Sequence, residues 1–599
     1  MEVVINHRPN RHLARLGLSL VLALGVLVAL GVALADRLPG VAHADGTLSP
    51  FWAEDFSTPI DPAKYYVYGT SGAGVINSGS FLLTPYSYSQ YSRIWYTNTL
   101  AYINEFTTSF RLNFGQYITS GGDGIVFGMC PHYSYKPAPV PPPATDGLVD
   151  AMCPGGYLLD FDTFEGSLGE EPDRVYVAYE NQNARLIQQD LGFRLTGWRT
   201  VSVEFEQGDI NVTVDTTPVI VAAHIPGYVP FWGYFGFAAD TGGSGRGRNE
   251  QRVDDIQVYA TAPGPAQSEI WVDDDFGPAT PGWGVTATNS VTQAMWLVEP
   301  PGTVRVLTGT YPTTWDMPLV NGGHYMPTLW MRPGVAILGS GPWATTLDGQ
   351  NRNRTVVGGY WALDNTDVFS GFTVQGGHAY DWHTQAGGGL DLWAGIEKIV
   401  NCRVINNAGL WGGGVALLQS NVTLINLMVA DNQAQYSGSG VYLIASSSRL
   451  LYNTVAHNLD THSSGVYADN AATAALTNTI VASETTGVYA AAGSHVTVHD
   501  ILWGDGAWAN TNNTDGPGSI GGIATTLSGD PAFLNPSAGD YHIGASSAAR
   551  NWATNIPDVR YDIDGQPRNV SQGELPDLGA DEYVVFVGNE RQYLPMLTH

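Results

Sequence analysis

The chain has 599 residues, too many for one ordinary domain, so two or three are expected. Its formal net charge is −29 and only 14% of its residues are charged, which argues against nucleic acid and anionic membranes as partners. With 44% hydrophobic residues, 72 glycines and 35 prolines, the composition describes a loop-rich, mostly β protein with ample core.

Arg8, Arg11 and Arg15 precede an unbroken apolar run from Leu16 to Ala35. Two small-x-small cleavage phrases follow, Ala33-Leu34-Ala35 and Ala42-His43-Ala44. Residues 1–44 therefore read as a signal peptide, and the apolar run is also long enough to serve as an uncleaved anchor. The expected location is extracellular, secreted or attached to the cell surface, with no later segment able to span a membrane. In such a chain Cys130 and Cys153, which bracket a proline-rich excursion, are natural disulfide partners, and Cys402 reads as a buried free thiol.

Residues 46–260 alternate densely, as in Phe106-Thr107-Thr108-Ser109-Phe110-Arg111-Leu112 and Val201-Ser202-Val203-Glu204-Phe205. Strands at this spacing with turn signals between them predict an antiparallel sandwich. Three phrases within it carry chemistry. Gly121-Gly122-Asp123-Gly124-Ile125-Val126-Phe127 sets an acid on a glycine loop that enters a strand. Gly155-Gly156-Tyr157-Leu158-Leu159-Asp160-Phe161-Asp162-Thr163-Phe164 places Asp160 and Asp162 on one strand face, with Glu170, Glu171 and Asp173 beyond. Two carboxylates on one face repel unless a cation or proton lies between them, and oxygen ligands of this kind suit Ca2+ or Mn2+. Gly236 to Gly243 is another strand running into a flexible loop, through Asp240, Thr241 and Gly242.

Together these phrases resemble the legume-like (L-type) lectins, with their concanavalin A-like jelly-roll sandwich, over roughly residues 50 to 260. The resemblance implies that Asp123 hydrogen-bonds sugar hydroxyls, helped by loop groups at Gly122, Gly156, Thr241 and Gly242. It also implies calcium held by Asp160, Asp162, Phe164 and Glu171, with Phe164 doubling as a face for a pyranose ring. The chain departs from the family pattern in three places. Gly166 stands for an asparagine that binds calcium and sugar, Glu171-Pro172 for Asp-Pro, and Tyr176 for the histidine of the second, transition-metal site. Those changes weaken the calcium set and remove the ligand that defines the second metal.

A linker at 261–268 leads to a region, 269–525, where one phrase recurs. Glycine followed by an apolar residue opens a β-like run at Gly389, Gly414, Gly440, Gly465 and Gly487, at intervals of 25, 26, 25 and 22 residues. A second phrase keeps the beat at Asn401, Asn426, Asn453 and Asn478. A shared period in the twenties with short β segments predicts a parallel β-helix solenoid, its recurrent asparagines forming an amide ladder. A short amphipathic helix, Asn289 to Val298, is expected to cover the first coil. The region resembles the right-handed β-helix proteins of the pectate-lyase-like superfamily, from about 270 to 583, a likeness that implies fold and leaves activity open. The weak catalytic candidates are Asp391, Asp431 and His383, the last with Asp381 and Trp393 beside an irregular coil. Residues 526–585 read as a C-terminal cap segment, in which Asp562-x-Asp564-Gly565 is a structural turn, and 586–599 as a tail.

The fold expected is all-β, a concanavalin A-like jelly-roll sandwich plus a right-handed parallel β-helix solenoid. The function expected is calcium-assisted binding of a polysaccharide or glycan by the sandwich, with the solenoid as scaffold. Two other readings stay open: a polysaccharide lyase or hydrolase with a catalytic solenoid, and a structural adhesion protein that binds no sugar. The sequence is silent on oligomeric state.

Overall fold

The computed structural model describes residues 48–584 apart from 71, 116–123, 132–155, 164–172, 180–184, 227, 229–230, 242–248, 262–266, 278, 314–326, 332–333, 359–367, 381–385, 394–395, 459–463, 523–524 and 569–573. The expected leader at 1–44 and the tail at 586–599 lie outside these residues. Among the described residues no helix is long and apolar enough to cross a membrane.

The chain is all-β, and both expected architectures are present. Strands up to Gln251–Thr261 form an antiparallel sandwich; from Gln267–Val272 to Thr526–Gly529 the strands run parallel, and a short antiparallel pair, Phe533–Asn535 with Asp540–Ile543, follows. The sandwich closes because its strands alternate: Trp198–Glu206 shows Val201, Val203 and Phe205 buried between exposed neighbours. Those inward side chains meet a phenylalanine-rich core in which Phe106, Phe110, Phe127, Phe235 and Phe237 contact one another. Each fully buried ring contributes on the order of 2–3 kcal/mol.

In the solenoid, successive coils pair in register. Leu390, Val415, Val441, Val466 and Val488, the residues after the five marker glycines, stack as one column of an 8-stranded parallel sheet. Ile399, Leu424, Leu450, Leu476 and Val498 stack as a second buried column in an 18-stranded sheet. Corners separate the strands, and each is made by a left-handed residue. Asn401, Asn426, Tyr452 and Asn478 have φ of 52 to 56° at one corner, and Asn406, Asp431, His457 and Ser483 have φ of 55 to 57° at the next. Among residues with a side chain, asparagine and aspartate adopt this conformation at least cost, which is why the repeat is rich in them.

The second sequence phrase needs one correction. Thr454 pairs with Met428, so Tyr452, not Asn453, is the counterpart of Asn401 and Asn426. The main amide ladder runs along a different column. Asn407 Nδ2 donates to Asn432 Oδ1, and Asn432 Nδ2 to Asn458 Oδ1, each at 3.0 Å; Asn458 Nδ2 donates to Glu484 Oε1 at 2.8 Å.

The expected helix is Val291–Leu297, capped by Ser290, whose side chain accepts from the Gln293 amide. Val291, Ala294, Met295 and Leu297 are buried in the solenoid core. The helix also contacts the sandwich strand Phe231–Asp240, and Tyr102 Oη of the sandwich donates to the Gly284 carbonyl at 2.6 Å. The helix thus covers the first coil and faces the sandwich at once.

The C-terminal segment opens as the last rung of the stack, Thr526–Gly529 pairing in parallel with Ile501 to Gly504. Beyond that rung it lies lengthwise along the flank, bonded to early and late coils alike. Trp343 Nε1 donates to Asp564, Arg403 to the Gly539 carbonyl, Arg568 to Asn426, and Thr554 to Asn478 and Asp500. Left-handed corners leave carbonyls and side chains projecting from every coil, and the segment satisfies them. Asp562 is the structural turn expected: its carboxylate accepts from the amides of Asp564, Gln566 and Glu582.

Candidate functional site

Strand register brings the three sandwich phrases to one rim. Strand Gly124–Pro131 runs antiparallel to Tyr157–Asp162, pairing Ile125 with Phe161 and Val126 with Asp160. It also runs antiparallel to Phe231–Asp240, pairing Gly124 with Asp240. The start of the first strand and the ends of the other two therefore share one edge. The chain enters or leaves this edge at Gly124, Thr163 and Thr241. Gly124 is required there: at φ of 120°, a Cβ would lie 2.5 Å from the Phe161 carbonyl and 3.0 Å from Asp160 Oδ1.

Behind this rim sits a buried polar cluster. Asp160 is fully buried and accepts at Oδ2 from Tyr176 Oη at 2.6 Å. Burial, with Asp162 beside it and Asp240 adding repulsion, pushes the Asp160 carboxyl well above the usual range, against the pull of the Tyr176 bond and of Arg185. Asp162 Oδ2 lies 3.9 Å from Arg174 Nε and 3.8 Å from Arg185 Nη2. The Arg185 guanidinium stacks over the Tyr176 ring, 4.2 Å from its centre. A divalent cation on Asp162 would thus face two positive charges already in place.

The other expected residues are placed as follows. Asp123, Gly122, Phe164, Glu171 and Gly242 lie outside the described residues. Thr241 reaches the rim, but its hydroxyl donates to the Ser87 carbonyl at 2.8 Å and accepts from the Gln90 amide at 2.9 Å. Its hydroxyl is spent on anchoring the 87–90 loop. Gly156 is not at the rim. It precedes Tyr157, at the opposite end of the Asp160 strand, roughly 20 Å from Asp162 at the rise of an extended chain. Asp173 holds a loop in place, paired with Arg194 at 2.9 Å. Cys130 is disulfide-bonded and Cys402 is a buried free thiol, while Cys153 lies outside the described residues.

Sequence reasoning missed Arg174, Arg185 and Asp240 as parts of one cluster. Arg174 flanks Tyr176 two residues away, a same-face spacing that was the available signal. Arg185 sits on the next strand and only pairing brings it in, with Gln188 opposite Tyr176.

The solenoid candidates have structural partners. Asp391 is buried and paired with Arg354, and Trp393 Nε1 donates to it at 3.2 Å. Asp431 is a corner residue that bonds His457 at 2.7 Å and Tyr541 Oη at 2.8 Å. His383 and Asp381 lie outside the described residues. Tyr442, Tyr467 and Tyr489 form a column on the outer face, yet Tyr467 and Tyr489 stack at 4.6 Å and 15°. Stacking covers one face of each of these two rings.

No protein-family model matches this chain, and no curated protein matches it. Among solved structures, it is similar to the VIP36 exoplasmic/lumenal domain in its Ca2+/Man3GlcNAc-bound form, at 16% identity over 36% of this chain and 89% of that chain, with a TM-score of 0.28. It is similar to peanut lectin bound to a 9mer peptide, at 19% identity over 36% of this chain and 99% of that one, TM-score 0.29. Lectin II from Ulex europaeus gives 17% identity over 35% and 97%, TM-score 0.28.

Proposed function

We propose that the chain is an exported carbohydrate-binding protein whose sandwich recognises a polysaccharide or glycan at the rim above Asp160 and Asp162. The observation that carries this reading is the convergence of three strand ends, at Gly124, Asp162 and Asp240, on one edge over a buried acid cluster. In this reading Asp123 offers a carboxylate to sugar hydroxyls, neighbouring backbone groups complete the hydrogen bonds, and the cluster behind them keeps the loops' roots rigid. A rim of this kind is shallow, so single-site affinity is weak and avidity requires repeated ligands. The solenoid, with its polar corners bonded to the C-terminal segment, serves as a rigid body that carries the sandwich outside the cell. Calcium, which the sequence resemblance implies, does not enter this reading, because Asp162 is faced by two arginines.

The test is a glycan array probed with the full chain, wild type against Asp123→Ala, with circular dichroism to verify folding. The expected result is binding by the wild type that the folded variant loses. A folded wild type that binds no glycan overturns the reading.

A further inference from the structure

The acids expected to hold calcium have their counter-charges built into the chain. Asp162 Oδ2 is approached by Arg174 Nε at 3.9 Å and Arg185 Nη2 at 3.8 Å. Neither arginine is a loose surface group; their side chains are 13% and 16% exposed. Each has a second anchor. Arg174 Nε is also 3.8 Å from Asp190 Oδ1. Arg185 Nη1 donates to Gln188 Oε1 at 3.1 Å, and its plane lies on the Tyr176 ring. Tyr176 closes the cluster by donating to Asp160 Oδ2.

Calcium takes six to eight oxygens at about 2.3–2.6 Å. Bound to Asp162 Oδ2, it would sit within roughly 6.5 Å of both guanidinium nitrogens, at a largely dehydrated place where like charges repel strongly. A lysine or histidine could yield by losing its proton. A guanidinium cannot, because it stays charged at any pH a protein survives. The described residues therefore do not fit a divalent cation.

We propose that the paired guanidiniums of Arg174 and Arg185 are the counter-ions of Asp162 in this chain, so that the strand ends beneath the rim are held together, and any ligand at the rim is bound, without metal. The two charges answer Asp162 directly and, through Arg185 on Tyr176, fix the phenol that bonds Asp160. The functional half of this statement rests on the rim being the glycan-binding face; the metal half does not.

The test uses the full chain stripped with EDTA. Calcium uptake is measured by isothermal titration for wild type and Asp162→Asn, and calorimetric unfolding is recorded with EDTA and with millimolar CaCl2. Subtracting Asp162→Asn removes any calcium bound elsewhere on this acidic chain. The expected result is equal uptake by the two proteins and no shift of the sandwich transition. One extra equivalent bound by the wild type overturns the proposal. A second arm compares Arg174→Gln/Arg185→Gln with Arg185→Lys. The double variant is expected to be destabilised and to recover on adding calcium, as its acids now lack counter-ions; if it does not fold, the Arg185→Gln single variant is read in its place. Arg185→Lys is expected to fold and, because Arg174 still faces Asp162, to ignore calcium. A double variant as stable as wild type without metal refutes the role given to the arginines. An array that shows no glycan binding, with no Asp162-dependent calcium uptake, sinks the functional reading and leaves this one standing.

Discussion

Glu484 is the sharpest place to test the physics of the solenoid. It occupies a position that asparagine holds in the coils on either side, between Asn458 and Asn510. The asparagines of this column donate from Nδ2 to a carbonyl of the preceding coil, Asn458 to Val429 and Asn510 to Val481, each at 3.0 Å. Glu484 accepts at Oε1 from Asn458, but its buried Oε2 has no hydrogen-bond partner as an acceptor. By the ladder's geometry Oε2 stands where an amide nitrogen should be, and only a protonated acid can donate from it. Burial raises the Glu484 carboxyl well above its ordinary 4.5, outweighing the bonds from Asn458 that favour the anion. A carboxyl raised on folding supports the fold fully below the unfolded value and loses that support as pH rises toward the folded one. Each unit above 4.5 during which the acid stays neutral costs about 1.4 kcal/mol, a ceiling of about 3 kcal/mol at pH 7. Glu484→Gln supplies the donor at all pH values with almost the same shape. It should stabilise the solenoid by about 1–3 kcal/mol at pH 7, and the gain should vanish near pH 4. Urea unfolding of both proteins at the two pH values measures this. Equal stability at pH 7, or a gain that persists at pH 4, would refute the neutral-acid ladder.

His542 is 5% exposed, stacks on Trp343, and bonds Asp540 at 2.5 Å and Asp564 at 2.9 Å through its two nitrogens. Burial lowers its pKa, but the bonds to Asp540 and Asp564 outweigh that and raise it to about 10. Its stabilisation is thus whole below about 6.5 and fades as pH climbs through about 10, with a ceiling of about 5 kcal/mol. His542→Gln should loosen the C-terminal flank and flatten the alkaline limb of a stability–pH curve; an unchanged limb counts against the imidazolium. Gly124→Ala forces a Cβ against the Phe161 carbonyl at a φ of 120°. It should cost at least ~2 kcal/mol of sandwich stability, read as a lowered sandwich transition in calorimetry.

Much of the fold was legible because repetition is a sequence property. The glycine beat of the coils gives the parallel register directly, and the alternation of Val201, Val203 and Phe205 gives the sandwich strand that buries them. The strand carrying Asp160 and Asp162 was legible for the same reason, since same-face spacing is local. The ladder column was misplaced because Asn453 and Asn458 look alike in sequence. Each accepts a backbone amide of the preceding coil, Asn453 from Leu427 and Asn458 from Asn432, but only Asn458 also bonds stacked side chains, while Tyr452 takes the left-handed corner beside Asn453.

What the sequence alone determined is the pair of architectures and the acids at the rim, because period-two alternation, a coil-length repeat and a motif's spacing are all written along the chain. The tertiary structure alone decided what those acids meet. Arg185 reaches Asp162 from a strand two places across the sheet, Asp240 approaches Asp160 through the pairing of Phe231–Asp240 with Gly124–Pro131, and Gly156 falls at the far end of its own strand. Pairing partners are set by which faces bury together, a property of the whole sheet. The same holds for the C-terminal segment: its acids, His542 and Arg568 look like loop residues in sequence, and only docking along the flank turns them into the partners of successive corners.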